Sequence, residues 1–172
     1  MQLGLRHAQP DEGDRADRAT GGGPSRIASA ARRRVLLAED NEINALLAKR
    51  VLEKCGCEYL AVSNGADAVA LVQQLLDGGQ DDIDLILMDI FMPELDGMEA
   101  ARAIKSLYAT RSESGSAPPI VALTANAFAE DRQRYLAGGM DDYLAKPFDK
   151  AGLETVLGRW FGPAQERDAG AA

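Results

Sequence analysis

The sequence has few of the residues that build common metal or redox sites. It contains one histidine, His7, and two cysteines, Cys55 and Cys57, in a C-x-C pair. A zinc site needs four ligands, and His7 is far from the cysteines along the chain, so we do not expect a zinc or redox site. We assign both cysteines structural roles, with Cys55 ending a helix before Gly56 and Cys57 entering a strand.

Long hydrophobic runs and an excess of positive charge are also missing. No apolar stretch approaches the roughly 20 residues that span a bilayer, and residues 1–20 lack the apolar block of a secretory signal. The formal net charge is −8, from 27 acidic and 19 basic residues, which disfavours an extended nucleic-acid surface. We therefore expect a cytoplasmic protein that binds neither membrane nor nucleic acid directly.

Composition divides the chain into three parts. Residues 1–32 have few apolar residues and a glycine-, proline- and serine-rich stretch at 21–25, which predicts a flexible leader or interdomain linker. Residues 162–172 are small and polar, which predicts a disordered tail. Residues 33–161 remain as one folded domain.

Short apolar runs alternate with amphipathic stretches through the folded part. The predicted strands are 33–38, 58–62, 83–88, 119–123 and 142–145, and the predicted helices are 42–55, 66–77, 97–107, 127–137 and 150–160. In the first helix, Ile43, Leu47 and Val51 form the predicted buried face. Repeated right-handed βαβ units predict an α/β fold, with a doubly wound parallel sheet and helices on both faces.

Polar side chains follow four of the predicted strands. Glu39 and Asp40 follow the first strand, Asp89 the third, Thr124 the fourth and Lys146 the fifth. Because the carboxyl ends of parallel strands meet at one edge of the sheet, we expect these side chains to converge there. Clustered carboxylates repel one another unless a cation lies between them, and Mg²⁺ binds carboxylate oxygens while keeping several waters. The pattern predicts phosphoryl chemistry with a divalent metal.

Each of these residues also has a simpler interpretation. Residues 40–41 could cap the next helix, Asp89 could be a structural acid, Thr124 a helix N-cap and Lys146 a surface lysine. In the chemical interpretation, Asp89 is a nucleophile that forms an acyl phosphate, while Thr124 and Lys146 hold the phosphoryl oxygens. A cis bond between Lys146 and Pro147 would then aim the ammonium inward.

Four motifs together resemble the receiver domain of two-component response regulators. They are 35–41 (VLLAEDN), 87–97 (LMDIFMPELDG), 120–127 (IVALTANA) and 142–148 (DYLAKPF). They occur in order and with suitable spacing over about residues 33–161, and four linked motifs make the resemblance specific. It implies a flavodoxin-like (βα)5 fold with the strand order 2-1-3-4-5.

The resemblance also implies a role for each candidate site residue. Asp89 would be the phosphoacceptor, and Thr124 and Lys146 would hold the phosphoryl oxygens. The resemblance implies that the carboxylates of Asp40 and Asp89 and the main-chain carbonyl of Phe91 bind Mg²⁺, and that Glu39 binds it through water. Tyr143 would be an aromatic switch, exposed at rest, that turns inward on activation as Thr124 moves.

Two motifs narrow the context. Residues 39–44 (EDNEIN) and 122–127 (ALTANA) are similar to receivers that are fused to hybrid histidine kinases or act in phosphorelays. The short stretch after Trp160 is too small for an output domain. We therefore expect the C-terminal receiver of a hybrid histidine kinase, phosphorylated by a kinase in cis or in trans. It would signal by conformational switching or pass its phosphoryl group to a histidine phosphotransfer partner; a stand-alone single-domain response regulator is the alternative.

Two other classes share parts of this pattern. A magnesium-dependent phosphatase of the haloacid dehalogenase type also uses an aspartyl nucleophile, but its family has a second Asp two residues on, where this chain has Phe91. A flavodoxin-like binding module would share the sheet order but gives no reason for an acidic pair opposite a lysine. A receiver promotes only its own aspartyl phosphorylation and dephosphorylation, so conventional enzyme activity would belong to a parent kinase.

Overall fold

The computed structural model describes residues 32–80, 82–112 and 116–162. The described residues from Arg34 to Gly162 form one compact unit, which contains all the elements below. Most of the predicted leader and tail, residues 1–31 and 163–172, lies outside the described residues. Within those residues, no helix is both long and apolar enough to cross a membrane.

Five strands and five helices alternate along the described residues between Arg34 and Phe161. They are β1 (Arg34–Ala38), α1 (Glu42–Lys54), β2 (Glu58–Val62), α2 (Gly65–Asp77), β3 (Leu85–Asp89), α3 (Gly97–Arg111), β4 (Ile120–Thr124), α4 (Ala129–Ala137), β5 (Asp142–Ala145) and α5 (Lys150–Phe161). The strands form one parallel sheet in the order β2-β1-β3-β4-β5. The predicted doubly wound α/β fold and its strand order are confirmed.

The sheet has two apolar faces, because successive residues of a strand point to opposite sides. Leu36 and Ile86 lie on the face covered by α2, α3 and α4, whereas Leu37 and Leu87 lie on the face covered by α1 and α5. These four side chains have no exposed surface. With both faces covered, the strand ends are where polar side chains meet water.

Several element boundaries differ from the sequence prediction. β3 and β4 each end one residue later, so Asp89 and Thr124 are the last residues of their strands. The helix α3 continues to Arg111 because its apolar face extends to Tyr108, which is almost fully buried. The helix α4 begins at Ala129 instead of residue 127.

The predicted buried face of α1 was wrong at its first position. Ile43 is 78% exposed and Leu47 is half-buried, whereas α1 buries Ala48, Val51 and Leu52. The helix begins shortly after β1 ends, so its first turn lies near the carboxyl edge of the sheet. That edge offers little apolar surface for Ile43 to cover.

Side chains cap four of the five helices. The capping residues of α1, α2, α3 and α5 are Asn41, Asn64, Asp96 and Asp149. The capping role proposed for residues 40–41 is therefore confirmed for Asn41, whereas Thr124 caps no helix. The residue before α4 is Phe128, whose side chain makes no capping hydrogen bond. The start of α4 therefore lacks the local stabilisation that the other helices have.

Gly97, the first residue of α3, lies directly against the end of β3. Its amide donates to the carbonyl oxygen of Ile90 at 2.9 Å, which turns the β3–α3 loop back toward the strand. A Cβ atom at this position would lie 2.1 Å from the carbonyl oxygen of Asp89. The absence of a side chain at Gly97 thus allows the loop to close on the residue that ends β3.

We expect Gly97→Ala to destabilise the protein by about 2 to 3 kcal/mol, because the overlap with backbone can be relieved only by moving β3 or α3. Gly158→Ala is the matched control, since a Cβ atom at that position in α5 would have no atom within 4 Å apart from its chain neighbours and the nearby backbone of its own helix. It should stabilise the protein by about 0.5 to 1 kcal/mol. Urea unfolding measures both changes, and a Gly97→Ala variant as stable as wild type would contradict this account.

Candidate functional site

The strand register brings the candidate site residues to one edge of the sheet. In the pairing of β1 with β3, the residue after Ala38 comes level with Asp89, and that residue is Glu39. On the other side of β3, the amide of Lys146 donates to the carbonyl oxygen of Thr124 at 2.7 Å. The convergence predicted from the strand ends is therefore a direct result of the parallel pairing.

Three carboxylates form the centre of the site. One oxygen from each of Glu39, Asp40 and Asp89 lies within 4.8 Å of the others, and Glu39 and Asp89 are buried whereas Asp40 is exposed. Main-chain amides hold one oxygen of each buried acid. Asn41 N–H donates to Glu39 Oε1 at 3.0 Å, and Phe91 N–H donates to Asp89 Oδ1 at 3.2 Å. The second oxygens, Oε2 and Oδ2, remain for other partners.

Lys146 supplies the positive charge opposite these acids. Its Nζ atom lies 2.9 Å from Glu39 Oε2 and 2.9 Å from Asp89 Oδ2. The bond between Lys146 and Pro147 is cis, as the sequence analysis considered. Burial acts to lower the pKa of Lys146, but the close contacts of its ammonium with the carboxylates of Glu39 and Asp89 outweigh the effect of burial, so the pKa is raised. The interpretation of Lys146 as a solvated surface lysine is thus wrong.

The protonation of Asp89 reflects the crowding around it. The pKa of Asp89 is raised to about 7, and burial is the largest cause. The hydrogen bond from Lys146 acts to lower this pKa, whereas the charge of Glu39 acts to raise it. Asp89 therefore holds its proton to a higher pH than an ordinary aspartate does, unless a further cation favours the ionised form.

The second oxygen of Glu39 also lacks a complete environment. Within the described residues, Glu39 Oε2 is buried and has no hydrogen bond of good geometry, although the Lys146 ammonium is close enough for an ion pair. A hydrated divalent cation fits both residues. Its charge would favour the ionised form of Asp89, and its water ligands would donate to Glu39 Oε2.

Thr124 is fully buried, and its hydroxyl is bound by groups outside the acidic cluster. Thr124 Oγ1 lies 2.7 Å from the hydroxyl of Tyr135 on α4. It also lies 3.2 Å from the carbonyl oxygen of Asn126, to which it can donate, and it accepts from the Asn126 amide at 3.0 Å. The sequence pattern indicates no role for Tyr135 in the site, because an aromatic residue in a helix predicts core packing and carries no local sign of a strand partner.

Tyr143 is half-buried, so the prediction that it is exposed at rest is wrong. Its ring packs against the face covered by α2, α3 and α4, and the guanidinium of Arg132 lies over it at 5.4 Å from the ring centre. The neighbouring Asp142 accepts hydrogen bonds from the Tyr143 amide at 2.8 Å, from Trp160 Nε1 at 3.0 Å and from Arg159. This link between β5 and α5 was not predicted, because its only signal in the sequence is an acid at the start of a strand.

The chain matches known proteins over the same region. The model of the response regulator receiver domain family matches residues 35–157. The sensor protein GacS of Pseudomonas syringae pv. syringae is 44% identical over 139 residues, which cover 78% of this chain. This chain spans 14% of the length of GacS.

Two solved structures are also similar. One is the receiver domain of the sensor histidine kinase PA1611 from Pseudomonas aeruginosa PAO1, solved with a magnesium ion coordinated in its active-site cleft. It is 39% identical to this chain, with a TM-score of 0.62, and the match covers 77% of this chain and 99% of that one. The other is a chain in the co-crystal of two Saccharomyces cerevisiae proteins, the histidine phosphotransfer protein Ypd1 and the receiver domain of its downstream response regulator Ssk1. It is 31% identical to this chain, with a TM-score of 0.63, and the match covers 75% of this chain and 88% of that one. Motifs, fold and family match agree, and the chain belongs to the family of response regulator receiver domains.

Proposed function

We propose that this chain accepts a phosphoryl group from a phosphohistidine onto Asp89, as the receiver of a two-component or phosphorelay system. The observation that carries the proposal is the surroundings of Asp89. Its buried carboxylate lies 2.9 Å from Lys146 Nζ and within 4.8 Å of oxygens from Glu39 and Asp40. A purely structural acid would not need a second buried acid beside it, because two buried like charges are costly.

Mg²⁺ is the cofactor of this proposal. Asp40, Asp89 and the main-chain carbonyl of Phe91 would bind the ion directly, and Glu39 would bind it through water. When bound, Mg²⁺ supplies positive charge to the oxygens of the phosphoryl group during transfer. The magnesium ion in the cleft of the PA1611 receiver supports this assignment. The buried Glu39 Oε2 supports it too, because within the described residues this oxygen has the Lys146 ammonium at 2.9 Å but no hydrogen bond of good geometry.

In the proposed reaction, one ionised oxygen of Asp89 attacks the phosphorus atom of a phosphohistidine. The O–P bond forms as the P–N bond breaks, and the imidazole keeps the electron pair of that bond and takes a proton from solvent. Lys146 stabilises charge on a phosphoryl oxygen, and the Thr124 hydroxyl binds another once it turns toward the site. Burial disfavours the ionised Asp89, so the positive charges in the site must offset that cost.

We further propose that the chain is part of a hybrid histidine kinase, with the kinase acting in cis or in trans. In this proposal residues 33–161 are the receiver, 1–32 a linker and 162–172 a tail. The extent of the family match and the placement of all ten elements between Arg34 and Phe161 support these boundaries. A stand-alone response regulator would have the same site. We place the protein in the cytoplasm, where the ATP that a histidine kinase uses is found.

Exposed apolar side chains surround the site and suit a helical partner that presents a histidine. Ile43 and Leu46 lie on the first turns of α1, and Phe91 and Phe128 lie in the loops after β3 and β4, all with large exposed fractions. Apolar residues at the rim of a charged pocket can bind a partner and exclude water from the transfer. We propose that this surface binds a histidine phosphotransfer domain, and the Ypd1–Ssk1 complex supports that kind of partner.

Two other functions fit the site less well. A haloacid dehalogenase-type phosphatase needs a second acid two residues after its nucleophile, and Phe91 places an exposed apolar ring there. A function as a flavodoxin-like binding module would not explain why Lys146 forms ion pairs with both Glu39 and Asp89.

Phosphorylation should depend on both Asp89 and a divalent metal. With a small acyl phosphate as donor, intact-mass measurement should show one added phosphoryl group on the wild type with Mg²⁺ and none on Asp89→Asn. Asp96→Asn is the matched control, because asparagine caps a helix as well as aspartate and the residue lies in the neighbouring loop. Incorporation into Asp89→Asn, or after removal of the metal, would reject the assignment. Turnover of small phosphomonoesters would favour the phosphatase instead.

Mg²⁺ should stabilise the unphosphorylated protein, and more at pH 8 than at pH 5. The pKa of Asp89 is raised to about 7, so the metal-free fold loses stability as the pH rises from the ordinary aspartate range through 7, where Asp89 ionises beside Glu39. Bound Mg²⁺ restores that stability by about RT ln(1 + [Mg²⁺]/Kd). At pH 5 the proton on Asp89 competes with the metal.

Melting temperatures with and without millimolar Mg²⁺ at the two pH values test this expectation. Asp40→Ala should remove the Mg²⁺ effect at both values, because it deletes a direct ligand. A melting temperature that Mg²⁺ leaves unchanged at pH 8 would show that the carboxylates do not bind the ion.

The exposed apolar side chains around the site should affect phosphoryl transfer from a protein donor but not from a small-molecule donor. Ile43→Ala and Leu46→Ala should each slow transfer from a phosphorylated histidine phosphotransfer domain about tenfold, a typical effect for a central interface residue. Both variants should react with a small acyl phosphate at the wild-type rate. Leu136→Ala, at an exposed leucine of α4, is the matched control. Equal slowing with both donors would place the effect in the site and not in docking.

A further inference from the structure

Tyr135 is the residue through which α4 contacts the site. Of the nine residues of α4, all within the described part of the chain, Tyr135 is the only one that is buried. Its ring lies in the core between the sheet and helices α2, α3 and α4, and its hydroxyl lies 2.7 Å from Thr124 Oγ1. The two hydroxyls are buried together, so their contact is not screened by water.

The hydrogen bonds around Thr124 leave its hydroxyl proton no free position. Either the Tyr135 hydroxyl donates to Thr124 and Thr124 donates to the Asn126 carbonyl oxygen, or Thr124 donates to Tyr135, which in turn donates to the same carbonyl. In both arrangements Thr124 also accepts from the Asn126 amide. Thr124 cannot donate to a phosphoryl oxygen until one of these arrangements is broken.

Strand geometry directs Thr124 away from Asp89 in this state. Thr124 has the same position in the alternation as Ile120 and Ala122, whose side chains lie on the face covered by α4. Asp89 has the same position as Leu87, on the opposite face. Tyr135 therefore meets the Thr124 hydroxyl on the side where the strand already places it.

We propose that Tyr135 is a positioning residue that competes with the phosphoryl group for the Thr124 hydroxyl and so favours the unphosphorylated conformation. The proposal rests on the proposed phosphoacceptor function. When Thr124 turns toward a phosphorylated Asp89, the Tyr135 hydroxyl keeps the Asn126 carbonyl, 3.3 Å away, as its acceptor. Release of Thr124 thus leaves no buried hydroxyl without a partner, and the exchange costs little beyond the lost contact.

Binding of beryllofluoride, a phosphoryl mimic, with saturating Mg²⁺ tests this role. Tyr135→Phe removes the competing hydroxyl and keeps the ring, so it should tighten beryllofluoride binding about fivefold, the effect of one typical hydrogen bond. Tyr108→Phe is the matched control, a buried tyrosine on α3 in the same apolar cluster. It should leave the affinity unchanged. Isothermal titration calorimetry measures all three affinities.

A double-mutant cycle separates positioning from packing. The fivefold effect of Tyr135→Phe should persist with Thr124→Ser, which keeps the hydroxyl, and disappear with Thr124→Ala, which removes it. An unchanged or weaker affinity of Tyr135→Phe, or the same gain in the Thr124→Ala background, would overturn the proposal. If the wild-type chain binds no beryllofluoride with Mg²⁺, the phosphoacceptor function itself fails.

A measurement on the wild-type protein does not depend on how the variants fold. Addition of Mg²⁺ and beryllofluoride should shift the ring resonances of Tyr135, because its hydroxyl changes partner, while those of Tyr108 stay in place. Tyr135 resonances that do not move, in a protein whose Asp89 resonances do, would show that Thr124 is not released from Tyr135.

Discussion

Two buried carboxylates share one ammonium at the carboxyl edge of the sheet, and the chemistry of the site follows from this imbalance. Lys146 contacts both Glu39 and Asp89, and the exposed Asp40 adds a further negative charge beside them. Either a proton on Asp89 or a divalent cation can offset the excess. Only the cation leaves Asp89 ionised, and the proposed attack on phosphorus needs Asp89 in that form.

The fold supplies this arrangement by placing charged groups where the core ends. Parallel strands with both faces covered cannot carry acids along their length, but their carboxyl ends lie side by side. Gly97 then lets the β3–α3 loop close against the backbone of Asp89, and the Phe91 amide holds one oxygen of that residue. The second oxygen stays directed at Lys146.

The sequence predicted the features that follow from local pattern. The alternation of strands and helices and the convergence of Glu39, Asp89 and Lys146 could be inferred, because hydrophobic periodicity and βα repetition determine them, although β3 and β4 end one residue later than predicted. Ile43 was assigned to the core because periodicity shows which side of a helix is apolar but not where the sheet beneath it stops. The pairing of Tyr135 with Thr124 joins a helix to a strand residue eleven positions earlier, and no period encodes such a contact.

The weak attachment of α4 explains how a local change at Thr124 can alter a surface. α3 buries five residues and α1 buries three, whereas α4 buries only Tyr135 and begins without a capping side chain. Because burial of apolar side chains is the main force that holds a helix to its sheet, α4 costs the least to displace. Arg132, one turn before Tyr135, covers the ring of Tyr143. If α4 shifts when Thr124 moves, Arg132 would therefore change its position over the Tyr143 ring and so change the exposure of that ring. The helix α4, with two positions, would connect the two residues.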